Sequence, residues 1–568
     1  MEIDASLFAR LRTSLTDASD GSVRFGRASF GSARFTGRQN FARITFTDFA
    51  SFSRATFTEN VDLSGAEFEG TVKFTETRFD GQALFEGAVF NGKAEFAGAD
   101  FRSAAVFRLC RFASSLRFAD ATFSRHAYFS NATFDREVTF DRSRIHGSLF
   151  VDSAEFADEV EFTRMTIGEA ALAKSRFARG VRFDRSNVHG NLSFDGATFQ
   201  NHIHLGPLAC GGEINFSYCN FLSTSLIDAT AKHIKCLHAK FEGALTLRIR
   251  YATLALDHAA LMQPSTVTSN VADVPRPPGT ELAGEGDPTA VSITSLDGVD
   301  ASMLLLSSVD LAACKFSGSH HLDQLRLEGR WRLSVPPSGF RLRRGVPQRW
   351  TKRQVIIEER QWRRWNLQAE SSSQPSNSAI PVLPDLIPGP AVIATTYRHL
   401  RTSREDAKDE PGAADFYYGE MEMRRHSKGW HTAERWLLQL YWLLSGYGLR
   451  ASRALGWLVL AMMTTILLLM GFGLPQGSPK QEATGTMPPS GGKVTFEIDK
   501  QNPQNPTQDR FTTKRFEKAL SVTLNSVVFR SSGQDLTTAG GYVEMVSRFS
   551  EPVLLGLAAL AIRGRVKR

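Results

Sequence analysis

Residue types that could support chemistry are scarce in this chain. His202, His204 and Cys210 lie close enough together to suggest a metal-ligand set, but a structural role is the favoured interpretation. Four acidic residues between positions 405 and 410 are better explained as a solvated helix face. The sequence contains no glycine-rich phosphate loop and no nucleophile motif. We therefore predict no catalytic residue, no metal ligand, no cofactor and no enzymatic activity.

One charged cluster does stand out, because it lies in an apolar segment near the end of the chain. Glu544, Arg548 and Glu551 are spaced i, i+4 and i+7, so Arg548 could bridge both carboxylates on one helix face. A bare charge at the middle of a bilayer costs at least about 2.5 kcal/mol, and such residues are functional candidates by default. Two roles remain open: a clamp between helices, which we favour, and the lining of a pore.

The elements that would carry this cluster are two membrane spans. Residues 454–474 contain 21 residues without a charge, enough to cross the roughly 30 Å hydrocarbon core. Residues 543–562 form a second candidate, followed by the basic tail RGRVKR. Basic residues flank the inner ends of both spans, which predicts a hairpin with both termini in the cytoplasm and an extracytoplasmic loop at 475–513. Aromatic residues precede the first span like an interfacial belt: Trp436, Tyr441, Trp442 and Tyr447.

Most of the chain before the spans follows a different rhythm, in which phenylalanine recurs every five or six residues. This spacing suits neither a helix nor a single strand, and it persists from Phe25 to Phe221. A repeat this short indicates a solenoid. Sides of 5+6+5+6 residues close after 22, so we predict a four-sided coil and about nine coils over that range. The predicted inward ladder includes Phe90, Phe96, Phe101, Phe107, Phe112, Phe118, Phe123, Phe129 and Phe134.

The position two residues before each ring is usually small, as in Ala88, Ala94 and Ala99. This pattern resembles the pentapeptide-repeat family, which implies a right-handed four-sided β-helix for residues 20–263. The extra residue in alternate units should widen two corners of each coil. Cys110, Cys219 and Cys314 occupy the small-residue position, and a core role is predicted for them. Some family members are acidic rods that mimic DNA, but residues 1–250 hold 30 Lys and Arg against 29 Asp and Glu, which makes a nucleic-acid role unlikely.

Several segments connect the rod to the spans. We predict a disordered Pro/Gly-rich loop at 264–292, terminal solenoid coils at 293–330 and a Ser/Pro-rich linker at 368–392. Residues 331–367 form a basic region with a predicted helix from Trp350 to Trp365, which could bind a membrane or anionic partner or else cap the solenoid. Residues 393–449 should form a helical hairpin, broken at Pro411-Gly412, and an interfacial helix.

The membrane segment contains a further amphipathic helix, predicted at 514–531. A span, a short helix, a glycine-containing segment and a second span resemble the two-helix pore module of potassium channels. The carbonyl filter of those channels is replaced by SSGQDLTTAGGY, which puts potassium selectivity in doubt.

The sequence therefore predicts a non-enzymatic protein of the bacterial cytoplasmic membrane. Its cytoplasmic rod would act as a scaffold for an unknown protein partner or as a sensor for the hairpin. A homo-oligomer is possible, and a channel-like pore subunit regulated by the rod is the alternative.

Overall fold

The computed structural model describes residues 1–16, 21–269, 291–336, 340–343, 346–349, 353–371, 387–476, 481–485, 497–500, 503–504, 509–528 and 533–566. The chain divides into two compact units, Met1–Lys408 and Asp409–Arg568. Each unit is described by itself.

The first unit is a β-solenoid of about 13 coils, built from short parallel strands that pair with the strand one coil later. Its four sides are called faces 1 to 4 in chain order. Face 1 is a separate 12-stranded sheet, whose strands are Val23–Phe25, Ile44–Phe46, Glu67–Phe68, Val89–Phe90, Arg111–Phe112, Thr133–Phe134, Glu155–Phe156, Arg176–Phe177, Thr198–Phe199, Asn220–Phe221, Lys240–Phe241 and Ala260–Leu261.

Faces 2 to 4 belong to one larger sheet. Face 2 begins with Ala28–Ser29, Ala50–Ser51, Val72–Lys73, Ala94–Glu95, Leu116–Arg117, Val138–Thr139, Val160–Glu161 and Val181–Arg182. Face 3 contains Glu2–Asp4, Arg34–Thr36, Thr56–Phe57, Arg78–Phe79, Asp100–Phe101, Thr122–Phe123 and Asn187–Val188. Face 4 contains Gln39–Asn40, Val61–Asp62, Ala83–Leu84, Ala105–Val106, Ala127–Tyr128, Leu192–Ser193, Glu213–Asn215, His233–Lys235, Thr253–Ala255, Val291–Ser295 and Val309–Asp310.

Longer strands run across two faces in the C-terminal half. Arg144–Phe150 and Thr166–Ala171 join faces 3 and 4, as their pairing partners show. The strand Ile203–Cys210 joins faces 2 and 3. It is continued by Ser225–Thr230, Leu245–Arg250, Ser265–Ser269, Leu304–Ser307 and Arg326–Glu328.

The coil length changes where faces merge. Phe90 pairs with Phe112, a step of 112−90=22 residues, which confirms the predicted coil. The step from Phe221 to Phe241 is only 241−221=20 residues. A corner is lost when two sides become one strand, so the later coils need fewer residues. The solenoid is longer than the predicted nine coils because aliphatic residues replace phenylalanine in its last third.

The corners alternate as the five/six rhythm requires. Two residues separate Phe96 from Ala99, and the Ala99 N–H donates to the Phe96 carbonyl at 3.1 Å. Three residues, 91–93, separate Phe90 from Ala94, so the extra residue lies in the wider corner. The second residue of the short corner has a positive φ, even where it is Arg142 or Arg164. Left-handed backbone disfavours such side chains, but here it recurs in register because each corner stacks on the last.

Both ends of the solenoid are covered by helices. At the start, α1 (Ala5–Ser14) places Phe8 against Phe41, with ring centroids 4.1 Å apart. After the last coils, which include the 3-10 helices Ala301–Met303 and Leu322–Gln324, come the antiparallel strands Phe340–Arg343 and Val346–Arg349, then α2 (Ile357–Ser371) and α3 (Pro390–Asp406).

Three boundary predictions in this unit are adjusted. The predicted loop 264–292 is strand at Ser265–Ser269 and from Val291, while residues 270–290 lie outside the described part. The helix expected from Trp350 starts at Ile357, because the Val355 N–H instead donates to the Ser334 carbonyl. Within the predicted linker 368–392, helix α2 continues to residue 371 and α3 begins at 390; residues 372–386 are not described.

The second unit is helical. It contains α4 (Glu410–Ser427), α5 (Ala433–Ser445), α6 (Ala451–Leu468), a π-helical turn Leu469–Gly473, strands Gln481–Thr484 and Glu497–Lys500, α7 (Thr513–Val527) and α8 (Thr538–Val566). The predicted break at Pro411-Gly412 is wrong: both residues lie in the first turn of α4, where proline needs no N–H partner. The helices break at 407–409 instead. The two strands are antiparallel, so the predicted loop 475–513 is partly a β-ribbon.

Two segments are long and apolar enough to cross a membrane: Ala451–Gly473, of 23 residues, and Thr538–Arg563, of 26 residues. They include the predicted spans, apart from Leu474. Only 33% of the most apolar window of each is buried, whereas the core helix of a soluble protein would be mostly buried.

Candidate functional site

The phenylalanine ladder lies at the centre of the solenoid. All nine predicted rings, from Phe90 to Phe134, are at most 1% exposed. Each stacks on the ring one coil later, as Phe96 does on Phe118 with centroids 4.7 Å apart, and meets a neighbouring face edge-on, as with Phe107 at 5.5 Å. Offset stacks and edge-to-face contacts are the favoured aromatic geometries. The rings fill the interior, so their role is packing.

The cysteine and histidine residues do not assemble into a metal site. Cys210 is buried, and burial raises the pKa of its thiol to about 11. His204 is partly exposed and lies 3.7 Å from Asp228, while His202 is exposed. Within the described ranges, no group of three or more such residues could hold a metal ion. The Cys110 and Cys219 thiols lie in the core and donate to carbonyls of the preceding coil.

The outer surfaces of the rod differ from face to face. On face 4, four consecutive coils carry apolar side chains outward, and their strands pair in register. We call this set the apolar stripe: Leu84, Val106, Tyr128 and Phe150. The rings of Tyr128 and Phe150 stack at 5.0 Å, and the Arg108 guanidinium lies 4.8 Å from the Tyr128 ring centroid. All four side chains remain partly exposed.

Around face 3, by contrast, ion pairs link neighbouring coils. Arg102 lies between Asp80 and Asp100, and Arg142 pairs with Asp120 at 2.7 Å. The hydrogen bond from Arg142 holds the pKa of Asp120 below its ordinary value. The rod thus presents one apolar strip beside a charged surface.

A buried ionic network closes the C-terminal end of the solenoid. The Glu359 carboxylate accepts two hydrogen bonds from Arg353, at 2.5 and 2.6 Å, one from Arg363 at 2.6 Å and one from the Tyr397 hydroxyl at 2.5 Å. Burial alone would raise the pKa of Glu359, but the adjacent guanidiniums lower it below the ordinary value. The side chains of Arg353, Glu359 and Arg363 are at most 9% exposed. This network ties α2 to α3.

The same helices satisfy backbone groups that the last coils would leave open. Glu358 accepts the N–H groups of Phe316 and Ser317, at 2.5 and 2.8 Å. Ser403 on α3 donates to the Leu325 carbonyl at 2.6 Å. An uncovered strand edge invites pairing with other chains. Of the two interpretations left open for the basic region, the described part supports the cap, since Arg353 and Arg363 are used internally.

In the second unit, one tryptophan joins three helices. The Trp442 ring on α5 lies between two guanidiniums, 4.8 Å from Arg425 on α4 and 5.2 Å from Arg453 on α6. Its indole N–H donates to the Tyr418 hydroxyl at 2.9 Å. Arg453 also donates to the Trp442 carbonyl at 2.9 Å. Cation–π contacts strengthen when desolvated, so the start of the first candidate span is fastened to α4.

A buried tyrosine extends this junction. The Tyr447 hydroxyl donates to Glu422 at 3.1 Å, and burial raises the pKa of Tyr447. Glu422 also accepts from Arg425 at 2.8 Å. The predicted interfacial belt is therefore divided: Trp436 is 60% exposed, whereas Trp442 and Tyr447 face inward. Sequence reasoning missed Glu422 and Arg425; their spacing of three on a helix was the available signal.

The intramembrane charge cluster is arranged differently from the prediction. Glu551 is fully buried, and its Oε1 accepts a hydrogen bond from Thr465 on α6 at 2.9 Å. Its Oε2 has no partner among the described residues. Arg548 and Glu544 are partly exposed, and the ion pairs found in the described part do not join Arg548 to either carboxylate. Glu551 lies on the side of α8 that meets α6, where a hydroxyl satisfies it without a bridging arginine.

The other end of the helix pair is closed by close contacts. A Cβ on Gly540 would lie 2.4 Å from the Gly473 carbonyl oxygen, so α8 approaches this turn as only glycine permits. Thr537 donates to the Phe472 carbonyl at 2.6 Å. Arg515 on α7 donates to the Met470 and Leu474 carbonyls at 3.0 and 2.7 Å. These bonds satisfy carbonyls that a helix C-terminus leaves open.

The comparisons with known proteins agree with the rod. A family model described as pentapeptide repeats matches the chain in nine copies, at residues that include 30–78, 74–121, 96–144 and 107–154. The rod is therefore a pentapeptide-repeat solenoid. Neither the search of curated proteins nor that of solved structures found a match. The resemblance of the C-terminal helices to a potassium-channel pore module stays a prediction.

Proposed function

We propose that this chain is a non-enzymatic membrane-anchored scaffold. Its pentapeptide-repeat solenoid would lie in the cytoplasm of a bacterial cell and present a flat face to a protein partner. The helix pair α6 and α8 would cross the cytoplasmic membrane as a hairpin with both termini inside.

The observation that carries the anchoring is the outward face of the two long helices. Large apolar side chains on α6 and α8 are exposed along their length: Leu455, Val459, Leu460, Met463, Leu467, Met545, Val546, Phe549, Val553, Leu555, Leu560 and Ile562. Soluble monomers rarely expose patches of this size. The inward side holds small or polar residues such as Ala558 and Thr465, which suits helix contact within lipid.

The scaffold role is supported by the rod's construction. Its ends are covered by α1 and by the α2–α3 cap, which favours a single rod over end-to-end polymers. The apolar stripe on face 4 offers a strip of side chains that water does not favour, at the roughly 4.8 Å spacing of neighbouring strands. The charged surface near face 3 is mostly self-paired and has less to offer a partner.

Cell fractionation tests the anchoring. The full chain should remain with membranes after alkaline carbonate extraction, and a chain ending at Lys408 should be released as a soluble β-rich protein. Recovery of the full chain in the carbonate supernatant would remove the proposal.

A reactive thiol tests the orientation. Asp509→Cys, in the exposed loop between the spans, should react with a membrane-impermeant reagent in intact cells. Asp406→Cys on α3 should react only after the membrane is opened. The reversed pattern would mean that the rod faces outward.

The channel-like pore subunit remains the second candidate, favoured by the position of α7. Its Ala519 and Val522 pack in one cluster with Ile466, Leu469 and Met470 at the end of α6, which places a short helix between two candidate spans. Recording from purified protein in planar bilayers tests this candidate. Unitary currents altered by Glu551→Gln would favour the pore, and silent bilayers containing correctly inserted protein would exclude it.

A further inference from the structure

We propose that α5 is a membrane-surface helix, which lies in the anionic phospholipid headgroup layer of the membrane that α6 enters. The inference rests on the proposed anchoring and names a lipid-binding surface within it. It concerns residues 433–445, which no part of the anchoring argument used.

The exposed face of α5 is apolar without interruption. Trp436, Leu437, Leu440 and Leu443 are 60, 68, 52 and 41% exposed. At 100° per residue they fall within an arc of about 120°. An arc of this width on a short helix is typical of helices that lie in the plane of a membrane interface.

The opposite side of α5 is occupied by the protein itself. Trp442 lies between Arg425 and Arg453, and Glu434 pairs with Arg424 and Lys428, at 2.8 and 2.9 Å. These contacts fix the rotation of the helix about its axis. The apolar arc therefore faces away from α4, and it is not free to turn inward.

The depth of α5 follows from its contact with the first span. The Trp457 indole N–H, in the second turn of α6, donates to the Leu443 carbonyl at 3.0 Å. Gly446 and Gly448 both have positive φ and allow the sharp turn between the helices. The C-terminal end of α5 is thus held beside the first turns of α6, at the level where the chain enters the bilayer.

Charge selects the lipid class. Residues 424–453 contain six Lys and Arg and one Glu, a net charge of 6−1=+5. Basic residues next to a span attract anionic headgroups. The occupant of the apolar arc is therefore a phospholipid surface that contains anionic lipid, and a second copy of the chain or another protein is the competing outcome.

The experiment uses the full chain in vesicles of phosphatidylcholine, with and without phosphatidylglycerol. An environment-sensitive dye is attached to Leu440→Cys. Asp406→Cys, which is exposed on α3, is the water-exposed reference, and Met463→Cys, exposed on α6, is the reference for lipid. The five native cysteines are buried, and unlabelled wild type verifies that they do not react.

We expect the dye at position 440 to be several-fold less accessible to iodide than the dye at 406. It should also be quenched by lipids brominated near the headgroup, more strongly when phosphatidylglycerol is present. Lipids brominated near the chain terminus should quench position 463 and not 440.

Three results would overturn the inference. The first is iodide access at 440 equal to that at 406. The second is protection at 440 that disappears when the protein is diluted into excess lipid, which would assign the arc to a second copy. The third is failure of the chain to float with vesicles, which would sink the anchoring proposal as well; the first two leave anchoring intact.

Discussion

The rod and the helical unit of this protein are stabilised in opposite ways. In the rod, every coil repeats the same contacts, so a ring such as Phe101 stacks on Phe79 and Phe123 at 4.8 and 4.7 Å. In the helical unit, single contacts such as Trp442 with Arg453 or Thr465 with Glu551 occur once. A repeat spreads stability over many equivalent positions, whereas a unique contact has no neighbour to replace it. The comparison predicts where one substitution should matter most.

The largest effect is expected in the cap. Glu359→Leu leaves Arg353 and Arg363 buried without their carboxylate, and removing one partner of such a network costs about 3 to 5 kcal/mol. The last coils should unfold first. Hydrogen exchange on a chain ending at Lys408 measures this, with Glu405→Leu on the exposed surface of α3 as the matched control. Equal protection of residues 304–328 in both variants would show that the cap is dispensable.

Within the rod, Phe101→Ala should destabilise by about 3 to 5 kcal/mol because a fully buried ring leaves a cavity. The same change at Phe118, one face and one coil away, should cost a similar amount, since the environment repeats. Denaturant unfolding of the same truncated chain gives both values. A difference of more than about 2 kcal/mol between them would contradict the equivalence of the coils.

A smaller effect is expected at Thr465 in the helical unit. Thr465→Val deprives buried Glu551 of its hydrogen bond, and an unsatisfied buried group costs about 1 to 3 kcal/mol. Glu551→Gln should be milder, because the amide oxygen can still accept from Thr465. Unfolding in mixed detergent micelles ranks the two.

Arg548 supplies the control for that pair. Arg548→Gln should leave stability within experimental error, since the structure does not pair Arg548 with Glu551. A loss as large as that of Thr465→Val would restore the bridging model.

The smallest effect is expected from the surface ion pairs of the rod. Asp120 is ionised at neutral pH, and Arg142 lowers its pKa in the folded state. Its contribution to stability is therefore present above the ordinary pKa and is lost as pH falls through the folded value. Because both side chains are about half exposed, solvent screens the pair. We expect Asp120→Asn to leave the thermal midpoint unchanged at pH 7; a shift of several degrees would mean that such ladders hold the coils together.

Much of the rod was predictable because its information is local. The interval between Phe90 and Phe96 already specifies one side, and the small residue at Ala94 specifies what fits beneath the ring. The predicted coil of 22 residues is confirmed at Phe90 and Phe112. The merging of faces 2 and 3 was not predictable, since Ile203–Cys210 keeps an inward periodicity whether or not a corner interrupts it.

The cap and the helix junction could not be assigned from the sequence. Glu358 and Glu359 are adjacent in a basic segment, and nothing local shows that one accepts backbone N–H groups while the other binds two arginines. Their partners, Ser317 and Tyr397, lie about 40 residues away in opposite directions. Such contacts appear only when the chain has folded.

The same limit applies to Arg548 and Glu551. Helical spacing places them on one face, which made an ion pair the natural expectation, yet the partner of Glu551 is Thr465, 86 residues earlier. The sequence by itself determined the repeat, the coil length, the inward ladder and the two apolar helices, because each depends on side-chain type at fixed intervals along the chain. Tertiary structure alone decided which polar groups meet, because hydrogen-bond partners are selected by proximity in space.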